Sequence, residues 1–131
     1  MKIVTMVARI LLGLMFVVFG VNGFFPFIPM GEMPAPDSAA GHFFAAVSTT
    51  GYMKAVFLCQ LTGGLLLLLN LRPVLGLTIL CPVIFNIVLF HVTMDRSAMG
   101  IVMASVVSLL ALFLIWAYWD HYRHLVRQPN K

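Results

Sequence analysis

Four long apolar runs, separated by short polar interruptions and one longer one, organise this chain: residues 4–25, 52–71, 73–94 and 99–119. Crossing the hydrocarbon core of a bilayer takes about 20 helical residues, and each run is about that long. Backbone amides in lipid must be satisfied internally, by a helix or a closed barrel. None of the runs alternates polar and apolar positions as barrel strands do. The pattern therefore predicts an all-α fold, an integral membrane four-helix up-down-up-down bundle forming a single domain over 1–131. Asn70-Leu71-Arg72-Pro73 reads as a tight turn, with Pro73 suited to the first turn of a helix. Asp95-Arg96-Ser97 offers Asp95 or Ser97 as an N-cap. Links this short make neighbouring helices antiparallel.

The one long connection, 26–51, divides in two. Residues 26–36 are proline-rich and exclude a regular helix. Residues 37–50 read as a short helix, capped by Asp37 or Ser38 and ended by Gly51. Phe43, Phe44 and Val47 give it one apolar side, which fits an interfacial helix on the bundle mouth better than a lid over a site. After the fourth run, residues 120–131 read as a polar tail.

Composition agrees with lipid as the solvent. Hydrophobic residues make up 62% and charged residues 9%, against about 25% charge in an ordinary soluble domain. Mean hydropathy is +1.04. The net charge of +4 does not point to nucleic acid, because the basic residues are scattered and form no stripe with interleaved aromatics. They encode direction instead. Lys2, Arg9, Arg72, Arg123, Arg127 and Lys131 fall on one side of the expected bundle, and Lys54 and Arg96 on the other. This bias puts both termini in the cytoplasm. Glu32, Asp37 and Asp95 fall outside and Asp120 inside. Trp116, Tyr118, Trp119 and Tyr122 sit where the fourth run should leave the membrane, at the level such rings prefer. The start resembles a secretory signal, but its apolar stretch is long and no A-x-A-like cleavage site follows, so a retained first span is expected. Cys59 and Cys81 lie inside apolar runs and read as reduced small hydrophobes.

Polar groups in hydrocarbon each need a partner or a purpose. The candidate site residues are Gln60, Asn86, His91, Asp95 and Asn22. Gln60 and Asn86 each lie about 12 Å below the outer surface at the helical rise, so their amides are at one height and could bond across helices. Gly63 and Gly64 share a face with Gln60 and would admit a neighbouring helix closely. The pair reads as interhelical glue first and as a ligand site second. Pro82 should kink the third run and free the Thr78 carbonyl. His91 and Asp95 are spaced i, i+4 and read equally as a proton relay or as a hydrated capping pair. Asn22 reads as an interfacial cap. Arg9, Gly13, Phe16 and Gly20 form one stripe, with Arg9 placed to snorkel or to pair with Asp120. No set of His and Cys has zinc spacing, and no nucleophile elbow or phosphate loop occurs.

The ordered set Ala8-Arg9-Ile10-Leu11-Leu12-Gly13-Leu14-Met15-Phe16, Phe19-Gly20-Val21-Asn22-Gly23-Phe24-Phe25, Phe27-Ile28-Pro29-Met30, Ser48-Thr49-Thr50-Gly51-Tyr52, Gly63-Gly64-Leu65-Leu66-Leu67-Leu68 and Phe85-Asn86-Ile87-Val88-Leu89-Phe90-His91 resembles the DoxX family of small bacterial membrane proteins over nearly the whole chain. The resemblance implies a multi-pass protein of the bacterial inner membrane, acting as an accessory or anchor subunit of a quinone- or thiol-linked redox complex. It implies a membrane or periplasmic redox protein as partner and quinone as the cofactor to look for. Many relatives carry an acidic residue where this chain has Gln60 and a His where it has Pro26, so proton chemistry is not carried over with the resemblance. The residues alone leave two further readings open: a small carrier or binding protein for a lipophilic or weakly polar molecule, and a scaffold with no site. On none of these readings is the chain expected to be an enzyme on its own.

Overall fold

The computed structural model describes residues 1–29 and 33–127. Every regular element among them is helical. Helix α1 (Lys2–Phe24) is followed by a loop, then α2 (Ala39–Thr49), α3 (Tyr52–Leu68), α4 (Pro73–Phe90), a single π-helical turn (His91–Asp95), α5 (Ala98–Ala117) and α6 (Trp119–Val126). Glu32, expected in the outer loop, and Lys131 lie outside the described residues.

The helix boundaries follow local chemistry. Ser38 caps α2 by accepting from the Gly41 N–H at 3.0 Å, and Ser97 caps α5 by accepting from the Gly100 N–H at 3.1 Å. Both satisfy one of the orphan donors of a helix start. Helix α3 ends in a Schellman arrangement: the Leu71 N–H reaches the Leu66 carbonyl at 3.0 Å and the Asn70 N–H the Leu67 carbonyl at 3.2 Å. Asn70 supplies the required left-handed backbone at φ 55°, a conformation that Asn tolerates and most residues avoid. Pro73 then opens α4.

Three helical stretches, Lys2–Phe24, Pro73–Asp95 and Ala98–Ala117, are long and apolar enough to cross a membrane. The expected second span is shorter than the apolar run: α3 has 17 residues, about 26 Å at the helical rise. It is joined to α2 through Gly51 at an angle of 84°. Gly51 sits at φ 76°, which glycine adopts without steric cost. The polar tail expected after the fourth run is instead helical through Val126, as α6. Helix α4 continues across Pro82.

Helix α1 packs most extensively on α3, α3 on α4, α4 on α5, and α5 back on α1. Glycines set the closeness of these contacts. A Cβ at Gly13 would stand 2.8 Å from the Leu68 nitrogen and 2.9 Å from the Gly64 oxygen. One at Gly64 would stand 2.9 Å from both the Gly13 oxygen and the Val17 nitrogen. On the adjoining face, Gly63 and Gly76 let α3 and α4 meet in the same way, with the Gly76 oxygen 3.0 Å from a Cβ at Gly63. Leu12, Phe16, Leu67, Leu77, Leu80 and Leu114 are the largest fully enclosed side chains. Outside this core, apolar residues face outward on every long helix, including Leu58, Phe85, Leu109 and Leu112, each more than half exposed. Extensive exposed apolar surface is rare on water-soluble monomers.

Candidate functional site

Among the described residues, Arg9 is one of three buried polar side chains, at 8% exposure. Its guanidinium neither snorkels nor meets Asp120. Its Nη1 donates to the Leu67 carbonyl and, at 3.3 Å, to the Leu68 carbonyl. These are among the last carbonyls of α3, which have no intrahelical N–H to accept from. The negative end of the helix dipole favours a cation there. Asp120 lies instead beside Arg123, within α6, at 3.5 Å.

Asn22 is also buried, although it points away from the stripe that packs α1 on α3. The loop after α1 covers it. Its Oδ1 accepts from the N–H groups of Phe27 at 2.9 Å and Ile28 at 2.8 Å, and its Nδ2 donates to the Ile28 carbonyl at 3.3 Å. The side chain thus ties the following loop to the last turn of α1 and fixes its course. It meets none of the helix's own terminal carbonyls, so the expected cap is a loop anchor instead. Phe57 packs over Gly23, and its ring meets Phe24 edge-on at 6.2 Å, closing the same end between α1 and α3.

Gln60 is the third buried polar side chain, 7% exposed on the Gly63–Gly64 face of α3. Its Oε1 is buried and accepts no hydrogen bond from any of the described residues. Asn86 does not answer it. Asn86 is exposed, on the side of α4 opposite the buried Leu77, Leu80 and Ile84, and donates to the Pro82 carbonyl of its own helix at 3.0 Å. The amide pair predicted from equal depth is therefore not formed. A match in height fixes nothing about azimuth, and Asn86 is turned about 180° from Leu77 at 100° per residue.

His91 and Asp95 do meet. The π turn brings His91 Nδ1 to 3.0 Å from Asp95 Oδ2, with both side chains about a fifth exposed. The same carboxylate oxygen accepts from Ser97 Oγ at 2.5 Å. Bonding to a carboxylate assigns the His91 proton to Nδ1 and leaves Nε2 as the other ring position. The order of contacts excludes nucleophile activation. A serine is activated by a histidine base standing between it and the acid, whereas here the carboxylate stands between Ser97 and His91. Ser97 uses its remaining capacity to cap α5. Above the cluster, Phe43 and Phe44 of α2 pack on Phe90 at 5.3 and 5.5 Å, and Phe90 lies edge-on to His91 at 5.1 Å. Helix α2 thus rests on the π turn.

Gly100 is a residue of this site that spacing did not single out. A Cβ there would fall 2.2 Å from His91 Nδ1 and 2.6 Å from its Cε1, so the imidazole packs against the start of α5 only because that side chain is absent. Gly100→Ala should expel the ring and break its bond to Asp95. A histidine ring nitrogen NMR spectrum should then lose the carboxylate-bonded Nδ1–H signal, and retention of that signal would contradict the geometry.

At the opposite end, Tyr122 of α6 donates to the Val74 carbonyl at 3.0 Å and lies 2.9 Å from the Thr78 hydroxyl. Burial pushes its phenol above the usual range, which keeps it a donor. An open apolar groove of about 400 Å³ runs between α4 and α5, lined by Val88, Val92, Ile101, Ala104, Ser105, Ser108 and Leu109. Both serine hydroxyls bond to their own helix, and none of the candidate polar residues lines the groove. Among the described residues no three His, Cys, Asp or Glu side chains gather as a metal site. Compared with protein-family models, with curated proteins and with solved structures, the chain matches none.

Proposed function

We propose that this chain is a multi-pass protein of the bacterial inner membrane. It crosses four times through α1, α3, α4 with its π turn, and α5, and keeps both ends in the cytoplasm. It serves as an accessory or anchor subunit of a membrane redox complex, as its resemblance to the DoxX family implies. The single observation behind an accessory role is the use to which its polar side chains are put. Asn22, His91, Asp95 and Ser97 spend their hydrogen bonds on caps, turns and each other, and Arg9 spends its own on the end of α3. Such an arrangement builds a rigid outer surface, with α2 seated on Phe90, rather than a reactive centre. On this reading the partner supplies the chemistry and this chain supplies the membrane platform. Purification in mild detergent from native membranes should bring down an oxidoreductase activity or bound quinone. Recovery of the chain alone and quinone-free would overturn the reading.

One observation favours the alternative, a binding protein for a weakly polar lipophilic molecule. A buried amide oxygen without a donor costs about 1–3 kcal/mol, and Gln60 Oε1 is such an atom. Gln60→Leu separates the two readings. With no ligand, the substitution removes an unmet acceptor and should raise stability by about 1 kcal/mol without loss of function. If a bound molecule supplies the donor, the same variant should keep its fold and lose function.

A further inference from the structure

The end of the molecule opposite α2 carries a surface that the proposed role does not use. At 100° per residue, Trp119, Tyr122, Leu125 and Val126 of α6 fall within an arc of about 120°. Asp120, His121, Arg123, His124 and, at the C-cap, Arg127 occupy the remainder. Tyr122, at the middle of the apolar arc, is clamped to the first turns of α4 through Val74 and Thr78. The clamp fixes the helix at this end while the rest of the arc overhangs. Trp119 is 50% exposed, Leu125 74% and Val126 73%.

The same end holds other cations. Arg9 joins the beginning of α1 to the end of α3, so Lys2 at the start of α1 and Arg72 in the α3–α4 turn lie toward the end where α6 docks. The acid of α6, Asp120, sits 3.5 Å from Arg123. A short helix with Arg123 on one arc, Arg127 at its C-cap, and a tryptophan, a leucine and a valine on the other arc matches the boundary between headgroups and acyl chains. The net positive charge of this end, Lys2, Arg72, Arg123 and Arg127 against Asp120, selects lipids of opposite charge.

We infer that α6 lies in the headgroup layer as a docking surface for anionic phospholipid, with Arg123 and Arg127 on the phosphates and Trp119, Leu125 and Val126 at the acyl boundary. The inference rests on the membrane reading given above. It commits to a lipid leaflet rather than an acidic soluble protein, because the exposed apolar residues adjoin the helices that carry the apolar outer faces.

Trp116→Phe leaves Trp119 as the sole tryptophan of the chain, which has two. The full-length variant is reconstituted into bilayers in which either phosphatidylglycerol or phosphatidylcholine carries brominated acyl chains. Quenching of Trp119 then gives the relative affinity of the two lipids at α6. Phosphatidylglycerol should be preferred by about fivefold for each engaged arginine. High salt should reduce the preference, and Arg123→Gln with Arg127→Gln should abolish it while quenching by either lipid persists. Equal quenching by both lipids in the arginine-bearing protein would overturn the inference and leave the membrane reading intact. Absence of quenching by either lipid would overturn the inference as well. If carbonate extraction then released the chain from native membranes, the membrane reading would fall with it.

Discussion

Gly64→Val should drive α1 and α3 apart and lower the unfolding free energy by about 3 kcal/mol, the upper range for overpacking a tight interior. The Cβ alone would lie 2.9 Å from the Gly13 oxygen and the Val17 nitrogen and 3.1 Å from Phe16 Cβ. Two of these neighbours are backbone atoms of a helix, which cannot swing aside as a long side chain can. The helices must separate, and Leu12, Phe16 and Leu67, now almost fully enclosed, lose contact together. In lipid, where apolar burial between helices gains little, close van der Waals approach through small residues is a main source of association. Titration with sodium dodecyl sulfate, followed by tryptophan fluorescence, should show an earlier midpoint. Leu65→Val, at an exposed position of the same helix, is the control and should shift stability by less than about 0.5 kcal/mol. Equal midpoints for both variants would contradict the packing.

Arg9→Met should cost about 2 kcal/mol, the scale of hydrogen bonds from a charged donor. Methionine keeps much of the stem's bulk, so the loss isolates the guanidinium. Without it, the Leu68 carbonyl and part of the capacity of the Leu67 carbonyl face a low-dielectric interior unmet. The Leu67 oxygen still accepts the Asn70 N–H. Arg9→Lys should recover part of the loss, since both bonds come from one nitrogen, Nη1, and an ammonium has donors enough for two carbonyls but stands on a shorter stem. The same titration checks it. A side chain that merely snorkelled would be replaceable by methionine at no measurable cost.

Much of the architecture was legible in the sequence. The stripe Arg9, Gly13, Phe16 and Gly20 recurs at helical spacing, and all four residues are buried on α1. Of the cap candidates Asp37 or Ser38, and Asp95 or Ser97, the serines are the caps. Gly63 and Gly64 bring two helices close, as small residues on one face suggested. What sequence spacing missed were partners between elements. Spacing located the Arg9 cation but not the α3 carbonyls it meets. It put Gln60 and Asn86 at one height but neglected that Asn86 lies on the reverse of α4. Asn22 looked interfacial because its own helix face is not the packed one. It is buried by the chain that follows it. Helix α6 was hidden by its polar density, since a hydropathy run detects segments that are apolar all round and passes over a short two-sided one. Gly100 could not be weighed without the ring that lies on it.

The central claim is that the apolar helices thread the membrane an even number of times, with both ends inside. Alkaline phosphatase, active only outside the cytoplasm, fused after Pro36, Leu71, Arg96 and Arg127 tests it most directly. Activity is predicted at Pro36 and Arg96 and none at Leu71 and Arg127. Activity at Leu71, or at Arg127, would contradict the account.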